Sequence, residues 1–515
     1  MSKFSKWGKK LVALTMVAAM ATTVGCGKTT TSSNDSKKGS ESEKATTAAS
    51  SSSSDGAAVK IAIYRPSFNV ASPDENEVAK VQDQINSYIK DKIGVQVELH
   101  DIGSGEYSDK TNLALASGEV NLFFTAGWEQ TIKTDDVVKQ NAVADISSKL
   151  KGSTLYKSIP ESVWTTCQYS GKDYFVPIYK ESGEGYNLQF RSDLVKKYGW
   201  DLTKVKSLKD IEPMLAQLKK DGLKYPYLSQ KTAMFFRYYI DNYDFFSQDS
   251  FLAVDRNANE VVDPVIAKDY SDFATLMGGW AQKGYLSDDD LTKTTTDTTV
   301  QTQDWGISWW TDVPNNAEAS TREKQDVQMA HITSNWVNSN TNLGSCYAIS
   351  AKSNDKQVDA AIKFLGLLYT DKTLADLYTF GIEGTDYTKD SNGAVTKSDK
   401  GLYNHSSWES APVSVVSLES SEPSNKVDLY KTFNAASKVS TSAGFRFDTS
   451  SIDAKYAACQ QVFNQYGYAL ENGGYAPADV AGAIKDYQSA LDAAGYQDVL
   501  KAAQKQYDDW KAIKK

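Results

Sequence analysis

From Val59 onward the apolar positions fall into short runs whose period switches between two and about 3.6 residues. Val59 to Tyr64 is a β-rich run. Ser72-Pro73-Asp74-Glu75 predicts a helix start, with Ser72 as N-cap, Pro73 at the first position and Glu75 three residues after the cap. Val78, Val81, Ile85 and Ile89 then share one helical face, and Val95, Val97 and Leu99 alternate as a strand. Residues 108–117 read as a helix stopped by Gly118, and Val120 to Phe124 as a buried strand. This β-α-β-α-β order predicts an α/β fold with parallel strands covered by helices.

Later segments continue in the same manner. Tyr174 to Ile178 is a strand whose Pro177 suits an edge or a crossing between lobes. Ser192 to Tyr198 and the stretch opened by Ser207-Leu208-Lys209-Asp210 read as helices. Phe251 to Val254 and Val261 to Val262 flank Asp255-Arg256-Asn257-Ala258-Asn259 as in a hairpin. That loop starts like a calcium site, but Glu260 replaces the glycine at the sixth position and Ile266 the glutamate at the twelfth, so a turn is expected. Cys346 to Ser350 is a strand. Val358, Ala361, Ile362, Leu365 and Leu368 mark a long amphipathic helix. Two more close the chain, one carrying Val480, Ile484, Tyr487 and Leu491 and one running from Tyr496 to Ile513.

A chain of 515 residues exceeds one domain, and 40% hydrophobic with 23% charged residues is a globular composition. The net charge is −9, and removal of the lysine-rich first 25 residues leaves −13. Such a chain has no electrostatic attraction for a phosphate backbone, so nucleic acid is not an expected partner. Aromatic residues reach 11%, with 11 Trp and 29 Tyr, enough to line a large cleft as well as a core.

The N-terminus speaks to location. Lys3, Lys6, Lys9 and Lys10 precede a run of apolar and small residues, Leu11 to Gly25, too short to span a bilayer. Cys26 follows directly. Residues 1–25 resemble a bacterial lipoprotein signal, in which the cysteine is lipidated; the alternative is a plain signal sequence with a chance cysteine. Between Lys28 and Ala58, 15 of 31 residues are Ser or Thr and no side chain is aliphatic beyond Ala. Residues 26–58 therefore read as a disordered tether holding a globule at the outer face of the cell membrane.

Some chemistries are not signalled. Cys167, Cys346 and Cys459 form no CxxC and read as buried thiols. The three histidines make no HExxH, and neither a Walker glycine loop nor GxSxG occurs. No metal and no cofactor is expected.

Several segments carry a family resemblance. Tyr169 to Pro177 resembles the DGKxYGVP segment of extracellular solute-binding proteins of ABC importers, the large sugar-binding group. Arg191 to Gly199 is similar to its R-x-D-L-x-x-K-Y-G helix start, Ser207 to Met214 to the helix that follows, and Asn121 to Trp128 to its DLxFTA-W strand end. Phe380 to Tyr387 and the last 35 residues, with Tyr507-Asp508-Asp509-Trp510, resemble a subgroup with its own C-terminal family domain. The resemblance implies a two-lobed periplasmic-binding-protein-like fold of type II, each lobe a mixed sheet flanked by helices. Lobe 1 would hold 59–180 and 340–400, and lobe 2 would hold 186–335 and 430–515, with hinge crossings near 178–186, 333–343 and 400–440. It also implies a monomer that takes a carbohydrate, expected to be an oligosaccharide, in the cleft and delivers it to ABC permease subunits in the membrane.

Ligands in open α/β sheets lie beyond the C-terminal strand ends. That rule nominates Tyr64, Arg65, Trp128, Glu129 and Glu181. A pyranose presents an apolar C–H face and a rim of hydroxyls, so it wants an aromatic plate with polar partners, as Trp128 beside Glu129 would supply. In Asp304 to Asp312, alternation sends Trp305, Ile307 and Trp309 to one face and Trp310 to the other, so one of Trp309 and Trp310 is expected at the cleft. Trp336, near the second crossing, and Arg446, in a segment resembling a ligand loop of the subgroup, complete the candidates. Trp408 reads as a surface anchor. A hydrolase using Glu129 and Glu181 is the alternative; a retaining pair needs about 5 Å and an inverting pair about 6.5–9.5 Å. A peptide receptor on the same fold is the third reading.

Overall fold

The computed structural model describes residues 58–230, 234–247, 250–292, 299–314, 317–398 and 400–513. The signal, most of the tether and the lipidation candidate Cys26 lie outside these residues.

The first sheet has five strands in the order Val95–Gly103, Val59–Ser67, Leu122–Thr125, Cys346–Ile349, Phe175–Pro177. The first three are mutually parallel; Cys346–Ile349 runs antiparallel to both its neighbours. Helix Glu75–Ile93 covers one face through Val78, Val81, Ile85 and Ile89, all buried as their spacing predicts. Its cap differs from the sequence reading. Asp74, not Ser72, caps it: one carboxylate oxygen accepts from Asn76 N and Glu77 N, each at 3.0 Å, satisfying two amides where Ser72 reaches none. Gly94 closes the helix at φ +65°, a left-handed cap that favours glycine.

Strand Val59–Ser67 also runs three residues past the predicted end. All nine positions pair with Val95–Gly103, from Val59 opposite Val95 to Ser67 opposite Gly103. Pro66 can sit within it because the opposite neighbour, Leu122–Thr125, pairs only with Ile63 and Tyr64, so the missing amide leaves no ladder bond unmade.

The second sheet has four strands in the order Val327–His331, Tyr186–Arg191, Trp305–Thr311, Tyr225–Tyr227. Only the last pair is parallel. Helices Lys268–Lys283, Asp453–Glu471, Val480–Ala494 and Tyr496–Ile513 belong to the same half, burying Trp280, Cys459, Tyr487 and Tyr507. The sheet and these helices share one hydrophobic core, separate from that of the first sheet. Asp255 to Asn259 forms the expected hairpin turn: Asp255 accepts from Asn257 N and Ala258 N, and Tyr507 holds the Asn259 side chain.

The chain passes between the two cores three times. It leaves the first at Ile178 and enters the second at Tyr186, returns between Ile332 and Leu343, and crosses again between Val416 and Phe445. The three crossings are laced together. Glu184 and Trp336 exchange backbone bonds at 2.9 and 2.8 Å, and Lys438 N and Ser440 N donate to Asn335 O and Val337 O. Close packing here explains two glycines: a Cβ on Gly183 would strike Ser437, and one on Gly185 would strike Asn335.

Candidate functional site: the interlobe cleft

Between the lobes lies a cleft of about 2340 Å³, more than a drug-sized ligand occupies. Lobe 1 floors it with three rings. Phe68 follows directly on the first strand, Trp128 follows the Gly127 turn, and Trp408 stands on the one-turn helix Ser407–Ser410. Their centroids lie 4.9 Å (Phe68–Trp408), 5.8 Å (Phe68–Trp128) and 6.4 Å (Trp128–Trp408) apart, and all three rest on buried Phe124 at 6.2–6.3 Å. Trp128 is 44% exposed, and its Nε1 donates to Gly344 O at 2.6 Å, which fixes the ring plane. An indole of that size left open beside two more rings is a stacking surface.

Lobe 2 supplies a different wall. Trp310, near the end of strand Trp305–Thr311, faces the cleft with the Arg322 guanidinium 4.9 Å over its ring. Helix Asp453–Glu471 adds Tyr456, Gln460, Asn464 and Tyr468, spaced by four and so on one stripe about 18 Å long. Buried Cys459, Phe463 and Leu470 run along the edge of this stripe and anchor the helix in the core, with Phe463 also reaching the cleft. Most cleft charges are matched: Lys180 with Glu181, Lys426 with Glu422 at 2.5 Å, Lys397 with Glu419 at 3.0 Å, and Lys139 with Asp453 at 2.5 Å. Amides, hydroxyls and rings between neutralised charges can hydrogen-bond and stack a ligand rich in hydroxyls.

The sequence candidates divide. Trp128, Glu181, Trp310 and Arg446 line the cleft; Tyr64, Arg65, Glu129, Trp309 and Trp336 do not. Tyr64 and Arg65 fall inside the lengthened strand. Tyr64 stacks on His100 at 4.4 Å, and Arg65, 1% exposed, pairs with Asp101 at 2.5 Å in the lobe core. Phe68 takes the rim position assigned to them. Glu129 turns inward, accepting from Ser108 Oγ at 2.8 Å, and burial raises its pKa. The Glu129–Glu181 pair is thus not assembled at the cleft. Trp309 lies behind Trp310, its Nε1 on Ser229 O at 3.0 Å and Arg237 3.9 Å over its face. Trp336 belongs to the hinge, donating to Asp241 at 2.7 Å beneath Arg256. Arg446 is engaged within the protein, donating to Asn340 Oδ1 at 3.0 Å and lying 4.5 Å over the Tyr169 ring of lobe 1. Sequence reasoning missed Phe68 and the helical stripe, and read Trp408 as a surface anchor.

A buried charge network underlies the ring floor. Asp101 lies between Arg65 and His405, whose Nε2 is 2.8 Å from its Oδ2. Burial opposes the Asp101 charge, but Arg65 and His405 outweigh burial and hold its pKa well below the usual range. In lobe 2 the buried Asp263 accepts from Val265 N and Tyr487 OH, and burial pushes its pKa up to about 7. Burial likewise pushes the Cys167 thiol up to about 12, which disfavours the reactive thiolate.

Comparison with known proteins bears on the fold. A family model described as bacterial extracellular solute-binding protein matches residues 83–400, and a domain of unknown function, DUF3502, matches residues 441–512. A carbohydrate ABC transporter substrate-binding protein of Streptococcus pneumoniae is 24% identical over 446 residues, covering 84% of this chain and 87% of its own length. The crystal structure of an N-glycan transport solute binding protein from the same species superposes with a TM-score of 0.76 at 23% identity, covering 89% of this chain and all of that one. A solute binding protein of Bifidobacterium longum infantis, described as binding HMO, gives 0.60 at 16% identity, covering 88% and 99%. These structural likenesses carry the fold.

Proposed function

We propose that this chain, which belongs to the bacterial extracellular solute-binding protein family, captures a carbohydrate between its lobes, most specifically an oligosaccharide, and hands it intact to the permease of an ABC importer. The observation that carries this reading is the open floor of Phe68, Trp128 and Trp408 facing a cleft whose charges are largely paired. Sugar rings stack on such a floor by their C–H faces. The Tyr456–Tyr468 stripe offers hydroxyl and amide partners for the rim. Part of the domain of unknown function thereby serves as a cleft wall. The binding of Man1GlcNAc by the fold relative supports this assignment, as does the carbohydrate-transport description of the pneumococcal relative.

Capture needs motion, and the three laced crossings form the hinge about which the lobes close. Closure desolvates the solute from both sides, and docking of the closed form delivers it. The protein works as a monomeric receptor with no chemical step, anchored outside the cell through lipid on Cys26. Labelled palmitate should be incorporated into the wild type and lost in Cys26→Ala, with the variant released to the medium.

The test of function is calorimetry against a panel of plant, milk and N-glycan oligosaccharides, with chromatography of the ligand afterwards. One glycan binds at micromolar Kd or tighter and is recovered uncut. Cleavage during the titration assigns a hydrolase, and a peptide binding where no glycan does assigns a peptide receptor.

A further inference from the structure

Trp408 reaches the cleft from a helix of only four residues, and charge holds that turn from below. Glu409, beside the ring, points into lobe 1 and is 2% exposed. Its Oε1 accepts from Ser406 N at 2.7 Å and lies 3.7 Å from Nδ1 of His405, which is also 2% exposed. Through Nε2, His405 meets Asp101 at 2.8 Å, and Asp101 is bound on its far side by Arg65. Arg65 in turn donates to Tyr378 O at 2.5 Å and to the Tyr403 hydroxyl. A continuous chain of charge therefore runs from the sheet to the base of the Trp408 turn. The groups facing His405 are Arg65 and Asp101 from the two strands and Tyr403 and Glu409 from its own segment, while Tyr378 of helix Lys372–Phe380 lies under the Arg65 guanidinium. Within that set Arg65 is already matched to Asp101. Among the described residues Glu409 pairs with no cation except the imidazole. Neither His405 Nδ1 nor Glu409 Oε2 has a hydrogen-bond partner among the described residues.

We infer that His405 and Glu409 are positioning residues for Trp408: a proton on His405 Nδ1 attracts the Glu409 carboxylate and presses the ring against Phe68 and Trp128, so the floor is firm while the imidazole is charged and slack when it is neutral. The inference rests on reading that floor as the ligand's seat. Burial and Arg65 oppose the imidazolium, but Asp101 and Glu409 outweigh them, and its pKa stands above the ordinary histidine value. With Nε2–H kept on Asp101, loss of the other proton turns a lone pair toward a buried carboxylate, an arrangement that only movement toward solvent relieves. The slackening spreads because Asn69, next to Phe68, donates to Ser406 Oγ at 3.1 Å.

The test needs no glycan. The protein is labelled with 5-fluorotryptophan, and the Trp408 and Trp128 resonances are assigned by Trp408→Phe and Trp128→Phe. ¹⁹F spectra are then followed from about pH 5 to 9. Both resonances titrate with one midpoint above the ordinary histidine value, while Trp164, buried in the same lobe, stays still. His405→Gln abolishes the titration. Glu409→Gln keeps an acceptor for Ser406 N but drops the charge, so its midpoint moves to lower pH; this variant decides the matter if His405→Gln fails to fold. A flat Trp408 resonance, or a Glu409→Gln midpoint that does not move, overturns the inference. A titrating floor in a chain that binds no glycan removes the proposed function instead, and glycan binding beside a flat resonance removes only the positioning role.

Discussion

The two lobes place their arginines differently, and their cleft faces differ accordingly. In lobe 1, Arg65 is buried against Asp101, and among the described residues no cation lies over the rings that meet the cleft above the network. In lobe 2, Arg237 and Arg322 lie over Trp309 and Trp310, so the guanidinium groups cover indole faces at or behind the cleft. The buried Asp263 of lobe 2 then has a tyrosine hydroxyl and an amide rather than a cation. The lesson is that an aromatic cluster does not make a stacking site; an uncovered face does. The densest tryptophan cluster in the sequence is the less available of the two.

The sharpest way to break this contrast is at lobe 1. Trp128→Ala and Trp408→Ala should each weaken glycan binding more than tenfold by calorimetry, about 1.4 kcal/mol or more, with unchanged melting temperature. Equal losses from Trp309→Ala would erase the distinction between open and covered rings. The next effect belongs to the helical stripe. Gln460→Ala or Asn464→Ala should cost about three- to tenfold in Kd, the scale of one hydrogen bond. Trp310→Ala should cost less, about threefold, because Arg322 already covers one face.

The smallest effect is one of stability and separates the two buried aspartates. Asp263 has a folded pKa of about 7, above its unfolded value. Between about pH 4 and 7 the native state holds the extra proton, so stability falls as pH rises through that window. Asp263→Asn removes the dependence, and its melting temperature should exceed that of the wild type at pH 8 and converge with it near pH 4. Asp101 behaves oppositely. Its folded pKa is depressed, so its contribution is present above the unfolded value and is lost only as pH falls through the lower folded value. A melting profile of Asp263→Asn parallel to that of the wild type would contradict the assignment.

Much of the fold was legible because periodicity reports burial. The Val78–Ile89 stripe, the Ser192–Tyr198 helix and the Asp255 hairpin all stand where the pattern put them. The cleft was less legible because its floor is assembled from distant segments. Phe68 was missed because the β-rich run was read only to Tyr64, while the structure carries the strand through Pro66 to Ser67, paired there on one side alone. Trp408 was read as a surface anchor because only long-range packing sets it beside Phe68, some 340 residues away in sequence. Alternation did separate Trp309 from Trp310, but only the tertiary cover decides which faces the cleft. The stripe of Tyr456, Gln460, Asn464 and Tyr468 carried a readable signal, since polar and aromatic side chains recur every fourth residue beside the apolar positions Cys459 and Phe463.

Diffraction from the protein crystallised with the tightest glycan of the panel tests the uncovered floor most directly. A pyranose ring should lie parallel to Trp128 or Trp408 with its carbons about 4 Å from the indole plane, and its hydroxyls turned toward the Tyr456–Tyr468 stripe. A glycan seated on Trp309, or bound outside the cleft with the three lobe 1 rings bare, would contradict the account.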